Sequence, residues 1–416
     1  MAVAGLRGTG DWGTDERPKN FREMILFLNP NGTAPIFALS SRASKQSTDD
    51  PEFNWWCEPN DQIRLKVNFG GGYSTTETQL TVAGTEPSAS ALDVNWGSAQ
   101  SLKPGDLLLV EPATEAAAFT HEILLVTGVG SATIFNVQRG FAGTSAASIP
   151  DTSFLLKIGS AYAEGTSAPV ATSRNPVKYT NKCQIFKDTY SITGTAEQTR
   201  VRTGDPIKND KKRKAFDHAS SIEYALLFGK QSETVGANGK PLRTMDGIRR
   251  FVSSTTTTVW TTGKNLNNFL DAVSPVFNYD SDAGDTRMAF CGNGALNAIN
   301  KAIANASGQS AMNIMMDNGS KVYGVNFTEM VFPQGRLLLK THPLFNRNSL
   351  FTNSMLIMDF SALKWRPLKN RDTKFTDDIQ TKREDLREGQ WMTEAGIEVW
   401  HGGLTCGWVG GFNNLA

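Results

Sequence analysis

The chain predicts an α+β fold, on three observations. Residues 205–229 read as one long helix with start and stop signals at both ends. Nearly everything before it alternates or turns as strands do, and the chain beyond it mixes helical spacing with short apolar strands. At 416 residues the chain is longer than a usual single core and points to two or three lobes.

Taken in order, residues 1–50 hold a Gly-rich start, the apolar run Met24-Ile-Leu-Phe-Leu28, then Pro30-Asn-Gly-Thr33 and Pro35-Ile-Phe-Ala-Leu39. Too little of this repeats with a helical or strand period to make a core, so an arm laid over another surface is expected. Strand-like alternation runs from Phe53 to Tyr73 and again from Val177 to Arg202, as in Gln62-Ile-Arg-Leu-Lys-Val-Asn-Phe69. These two stretches, 51–74 and 167–203, are expected to be the arms of one long hairpin.

Residues 75–166 differ in texture, being rich in Ala, Thr, Gly and Val and poor in Lys and Arg. Short strand candidates lie at Gln79–Val82, Asp106–Val110, His121–Val126 and Ala132–Val137, with Phe154–Ile158 closing the set. Turns such as Lys103-Pro-Gly-Asp106 and Arg139-Gly-Phe-Ala-Gly143 separate them. A small β-barrel or sandwich inserted at the hairpin tip is the expectation.

The helix itself, 205–228, opens with Asp205, which can cap the first turn, and Pro206, which suits the first helical position; Gly229 can end it in a left-handed conformation. About 24 residues at ~1.5 Å each make a rod of roughly 36 Å. Beyond it, Gly239–Val252 reads as a loop returning to a strand. Leu266–Phe277 and Ala295–Ala304 carry apolar residues at helical spacing: Leu266, Phe269, Leu270, Val273 and Val276, then Leu296, Ile299, Ala302 and Ile303. Strands are expected at Lys321–Phe327, Arg336–Thr341, Ser354–Asp359 and Trp391–Trp400.

Lys plus Arg number 42 against 41 Asp plus Glu, a net charge of +1. Near-neutrality argues against a dedicated nucleic-acid binder or membrane-surface protein and favours protein partners. The N-terminus lacks an apolar signal core and no stretch approaches the ~20 apolar residues of a membrane span, so a soluble protein made in the cytosol is expected. Cys57, Cys183, Cys291 and Cys406 stand far apart without metal-ligand or disulfide spacing and read as reduced thiols.

The motifs of catalysis and cofactor binding do not assemble. There is no phosphate loop, and Gly128-Val-Gly130 lacks the third glycine of a dinucleotide fingerprint. His121-Glu122 begins like a zinc-protease motif, but Leu125 stands where the second His belongs. His342 and His401 have no sequence partner and read as packing or surface residues. Asp280, Asp282 and Asp285 lack the spacing and closing Glu of a calcium loop and read as a solvated turn. The run Lys211-Lys-Arg-Lys214 reads as a solvated face or a partner contact rather than a DNA surface, and Asn326-Phe-Thr328 carries no weight as a glycosylation site without a secretory route. No catalytic residue, cofactor or metal is expected.

Several short segments, in order, carry a resemblance. They are Arg17-Pro-Lys-Asn-Phe21 in the arm, Phe53-Asn-Trp-Trp56 opening the hairpin, Ser191-Ile-Thr-Gly-Thr-Ala196 entering the helix and Ile222-Glu-Tyr-Ala-Leu-Leu-Phe-Gly229 closing it. Met245-Asp-Gly-Ile248, Tyr323-Gly-Val325, Asp359, Arg371-Asp-Thr373 and Thr393-Glu-Ala-Gly-Ile-Glu-Val399 extend the set. Arm, hairpin, long helix, α/β lobe and returning strand is the order of elements in the major capsid proteins of tailed double-stranded DNA phages. The chain resembles that family, the Hong Kong ninety-seven capsid fold, and within it the major head proteins with a β-domain inserted in the extended hairpin.

The resemblance implies an N-terminal arm (1–50), an extended hairpin loop (51–74 and 167–203) and an inserted β-domain (75–166) on the outer surface. It further implies a peripheral domain (204–262 and 386–416) with a spine helix at 205–228, and an axial domain (263–385). In such proteins the hairpin reaches over a neighbour and the arm wraps another subunit. The implied function is structural, without catalysis: self-assembly into pentamers and hexamers of an icosahedral head enclosing double-stranded DNA, bound without sequence specificity. No scaffolding segment precedes the arm, so a separate scaffolding protein is implied, with a portal and a decoration protein as further partners and no membrane. The protein would be made in the host bacterial cytoplasm and reside in the virion. Arg200, Arg202, Lys211, Lys212 and Arg213 are the candidates for inter-subunit or DNA-facing contacts. The alternative from another class is a β-rich carbohydrate-binding or adhesin-like virion surface protein, motivated by the insert's texture and by aromatics such as Trp96.

Overall fold

The computed structural model describes residues 44–58, 64–84, 97–111, 121–171, 175–199, 204–260, 265–282, 284–306, 316–322 and 325–412. The expected arm up to residue 43 lies outside them, as do Arg200, Arg202 and Trp96.

The long helix spans Pro206–Phe228. The Asp205 carboxylate accepts hydrogen bonds from the amides of Ile207 at 3.0 Å and Lys208 at 3.3 Å, satisfying donors that the first turn leaves free. Its end departs from the expectation. Gly229 has φ −53° and ψ 154°, which is not left-handed. Glycine is needed there for space: a Cβ would lie 2.5 Å from the carbonyl oxygen of Met245. The chain returns past the helix end so closely that the Gly247 amide donates to the Gly229 carbonyl at 3.1 Å.

The helix lies on a sheet whose long central strand is Leu386–Val399. Gln184–Thr193 pairs antiparallel with it in unbroken register, from Gln184 opposite Ala395 to Thr193 opposite Leu386. On the other side lie Lys374–Thr376 and Leu363–Pro367, and Ser44–Lys45 adds in parallel to the latter. Ile222, Leu226 and Leu227 of the helix join Phe186, Trp365, Ile397 and Val399 in one buried cluster. Each such side chain contributes about 1.5–3 kcal/mol by leaving water.

The next lobe is a seven-stranded sheet with the helices Leu266–Val273 and Asn293–Ala306 on its core. The single strand expected at Lys321–Phe327 is two, Met316–Val322 and Val325–Phe332, paired so that Val322 stands opposite Val325. Alternation alone does not mark where one strand of a hairpin ends and the next begins.

Before the helix, Glu52–Cys57 pairs antiparallel with Val177–Lys182 as a two-stranded ribbon. The long hairpin expected from 51–74 and 167–203 is therefore confined, among the described residues, to these six pairs. Arg64–Lys66 instead pairs with Phe154–Ser160, and Gln184–Thr193 joins the sheet beneath the helix. A period of two identifies a strand and one buried face, but not the strand's partner.

Between the ribbon's two strands lies a barrel. Its order is Arg64–Lys66, Phe154–Ser160, Asp106–Val110, Ile123–Val129, Ile134–Phe141 and Gln79–Thr81, and a bridge between Val67 and Val82 brings the last strand back to the first. Closure removes the unpaired edges that an open sheet of this size would carry. Its core, including Leu65, Leu80, Leu108, Leu124, Phe135 and Leu155, is drawn from barrel residues alone.

Candidate assembly surface

Two histidines that sequence reasoning left as isolated or unremarked anchor the helix to the strands and loops beneath it. His218 stands between Asp188 of the neighbouring strand and Thr393 of the central strand, at 2.8 Å from each, and Thr393 Oγ1 donates to Thr373 at 2.9 Å. His342, expected to have an ordinary packing or surface role, is fully buried with Nε2 at 2.7 Å from Glu223 of the helix. Partners this far apart in the chain leave no local signal.

The basic run of the helix divides. The Lys211 ammonium sits 3.6 Å over the ring of Phe375, a cation–π contact inside its own subunit. Phe375 packs on Trp391 with centroids 4.9 Å apart and stacks with Tyr190, whose hydroxyl donates to Asp377 at 2.7 Å. Arg387 then bridges Asp377 at 3.2 Å and Glu197 at 3.3 Å. Lys212 and Arg213, by contrast, are exposed.

A second ribbon comes after the helix. Ser232–Val235 pairs with Pro241–Thr244 and with nothing else among the described residues. Glu233 ties it down: Lys182 and Arg243 both pair with this carboxylate, and Lys182 also reaches Glu52 at 3.5 Å. The Lys182 hydrogen bond holds the Glu233 carboxyl below the ordinary carboxylate range. Away from this anchor, Val235 is 77% and Leu242 57% exposed.

The first ribbon has two unlike faces. Phe53, Trp55, Cys57 and Tyr179 pack with Leu404 on the subunit's own body, and Trp55 Nε1 donates to the Val399 carbonyl at 3.1 Å. Trp56 on the other face is 62% exposed.

Elsewhere, Glu122 of the His121-Glu122 pair is a buried partner of Arg139 within the barrel. Asp280, Asp282 and Asp285 are exposed, and the buried Arg287 holds their loop by donating to the carbonyls of Gly284 at 2.7 Å and Tyr279 at 3.1 Å. All four cysteines are buried, and none of them forms a disulfide.

A helix is thus pinned across a sheet by buried polar anchors, and apolar residues are left exposed on two ribbons. The family model of the SU10 major capsid protein matches residues 5–410, and the chain belongs to that family. A major capsid protein of Pseudomonas phage PaMx41 is 26% identical over 401 residues, covering 94% of this chain and 88% of that protein. Among solved structures, the capsid of a native GTA particle covers 97% of this chain and 98% of its own at 8% identity and a TM-score of 0.44. The capsid of Myoviridae phage XM1 covers 94% and 96%, at 10% identity and a TM-score of 0.44. At the level of the family the resemblance read from the sequence is upheld: this is a phage major capsid protein of α+β architecture with a structural role in the virion. The adhesin-like alternative is not favoured.

Proposed function

We propose that copies of this chain form the pentamers and hexamers of an icosahedral head that encloses double-stranded DNA, with no catalysis of their own. The observation that carries this is the exposure of Trp56, Val235 and Leu242 on two-stranded ribbons. A ribbon of two strands is marginal by itself, and apolar residues held out on it gain their stabilisation when another surface covers them. Many modest contacts repeated around closed symmetry then sum to a stable shell.

In this reading the arm is 1–50, and the outward-facing inserted domain expected at 75–166 also takes in the barrel strand Arg64–Lys66. The peripheral domain, expected at 204–262 and 386–416, also takes Leu363–Pro367 and Lys374–Thr376, and the axial domain, expected at 263–385, takes Thr257–Val259 and Gly407–Gly410. Arg200, Arg202, Lys211, Lys212 and Arg213 make contacts between subunits or toward DNA phosphates, Lys211 from its place over the Phe375 ring. A separate scaffolding protein, a portal and a decoration protein complete the particle, which is built in the host cytoplasm. Negative-stain microscopy of the purified chain tests the proposal. Capsomers or shells are expected, with shells lost but the subunit still folded when residues 1–40 are removed; monomers at every concentration would refute it.

A further inference from the structure

The strand Gln184–Thr193 is an outer strand of its sheet, paired with Leu386–Val399 on one side and with no strand on the other among the described residues. It runs for ten residues in unbroken register, without proline, glycine or bulge. Edges of that length are ordinarily blunted by such features, because their free amides and carbonyls template pairing with another chain. In an antiparallel strand every second residue turns both backbone groups outward, so about five residues here offer a donor and an acceptor each. None of those groups meets a backbone partner outside the sheet among the described residues.

Beyond Gln184, whose Oε1 accepts the Met245 amide at 3.2 Å, the side chains agree with an open site. Phe186, Asp188 and Tyr190 face the helix, while Ile185, Lys187, Thr189 and Ser191 are exposed on the opposite face, Ile185 to 48%. The same chain carries the complementary half. Among the described residues the ribbon Ser232–Val235 with Pro241–Thr244 has an unpaired outer edge on each strand, and it holds Val235 and Leu242 into solvent. Within one subunit, Glu233 fastens the ribbon to Lys182 just before the strand begins, and Pro241–Thr244 lies near the start of the strand, yet the ribbon forms no strand pairing with Gln184–Thr193.

We propose that the ribbon of one copy adds to the Gln184–Thr193 edge of a second copy, extending the sheet across the subunit boundary. Backbone hydrogen bonds supply the affinity, and Val235 or Leu242 meeting Ile185 supplies apolar cover. The contact is head to tail: each copy gives a ribbon and receives one, so a ring of copies fills every edge. The inference rests on the self-assembly proposed above.

Hydrogen exchange resolved by residue tests it, comparing dispersed subunits with particles assembled from the purified chain alone. Alternate amides of residues 184–193 are expected to slow by ~100-fold or more on assembly, together with outward amides of the ribbon. The double variant V235D/L242D, checked by circular dichroism to be folded, is expected to lose this protection. Particles that form with the 184–193 amides exchanging as in the dispersed subunit would overturn the inference, as would protection that survives in V235D/L242D. A wild-type chain that never assembles would instead strike the proposed function on which it rests.

Discussion

His342 and Glu223 meet through a 2.7 Å contact between Nε2 and Oε1, sealed from solvent on both sides and 119 residues apart in the chain. The Nδ1 atom of His342 accepts the Leu344 amide at 3.3 Å, so that nitrogen carries no proton and Nε2 is the donor to Glu223. Removing one member of a buried pair is costly, about 3–5 kcal/mol. His342→Ala is therefore expected to destabilise the subunit by that order, and Glu223→Gln, which keeps an acceptor for the imidazole, by less. Urea unfolding of the two singles and the double variant checks it: a coupling energy near zero would show that the contact does not hold the helix.

The features readable in advance were local. Asp205 and Pro206 mark a helix start because capping and a fixed φ act within one turn, and the apolar spacing of Leu266–Val273 sets its buried face the same way. Partners across the chain were not readable. Gln62–Phe69 and Lys182–Ile192 share the same alternation, yet Arg64–Lys66 belongs to the barrel and Gln184–Thr193 to a strand that begins at Leu386. Lys211 looked like its neighbours in the basic run until the fold placed Phe375 under its ammonium. The ion pair of Glu122 with Arg139 likewise depends on strand register that no motif encodes.

That pair sets an acid limit for the barrel. Burial would raise the Glu122 carboxyl, but hydrogen bonds from Arg139 and from the amides of Ala147 and Gly140 outweigh it and hold the group below its ordinary 4.5. A carboxyl depressed in the folded state stabilises fully above the unfolded value and loses that contribution as pH falls through the folded one. The barrel is expected to weaken below about pH 4.5. Glu122→Gln should be less stable at pH 7 and should lose less on acidification. Thermal melts across pH 3–7 (about that range) decide the matter, and parallel profiles for the two proteins would remove Glu122 from the account.

Thiol chemistry should be silent in the folded subunit. Burial pushes the Cys183 thiol up to about 12 and that of Cys406 to about 11, and Cys291, wholly enclosed, also rises. Since the thiolate is the reactive form, alkylation at neutral pH should stall until the protein unfolds, and then modify all four cysteines. Rapid labelling of the native subunit, read by mass spectrometry, would contradict the buried positions of these side chains.

Beside the packing of Trp55 and Tyr179, the joint where the first ribbon meets the body is tied by one side-chain amide, that of Asn181. Its Nδ2 donates to the carbonyls of Ile397 at 2.7 Å and Asp246 at 3.1 Å, while its Oδ1 accepts from the amides of Lys182 at 2.8 Å and Asp246 at 2.9 Å. The residue is fully buried, so no water stands ready to replace those bonds. Each backbone group left unsatisfied costs about 1–3 kcal/mol. Asn181→Ala strands two donors and two acceptors together. Asn181→Asp keeps the acceptor for the two amides but turns a carboxylate oxygen toward the carbonyls of Ile397 and Asp246, replacing attraction with repulsion. Both variants are thus expected to be strongly destabilised, by about 3 kcal/mol or more, with the ribbon loosening before the barrel, whose core is its own. Limited proteolysis alongside urea unfolding separates the two: cleavage appearing first between residues 175 and 184 supports the joint, and cleavage confined to the barrel loops would remove Asn181 from that role.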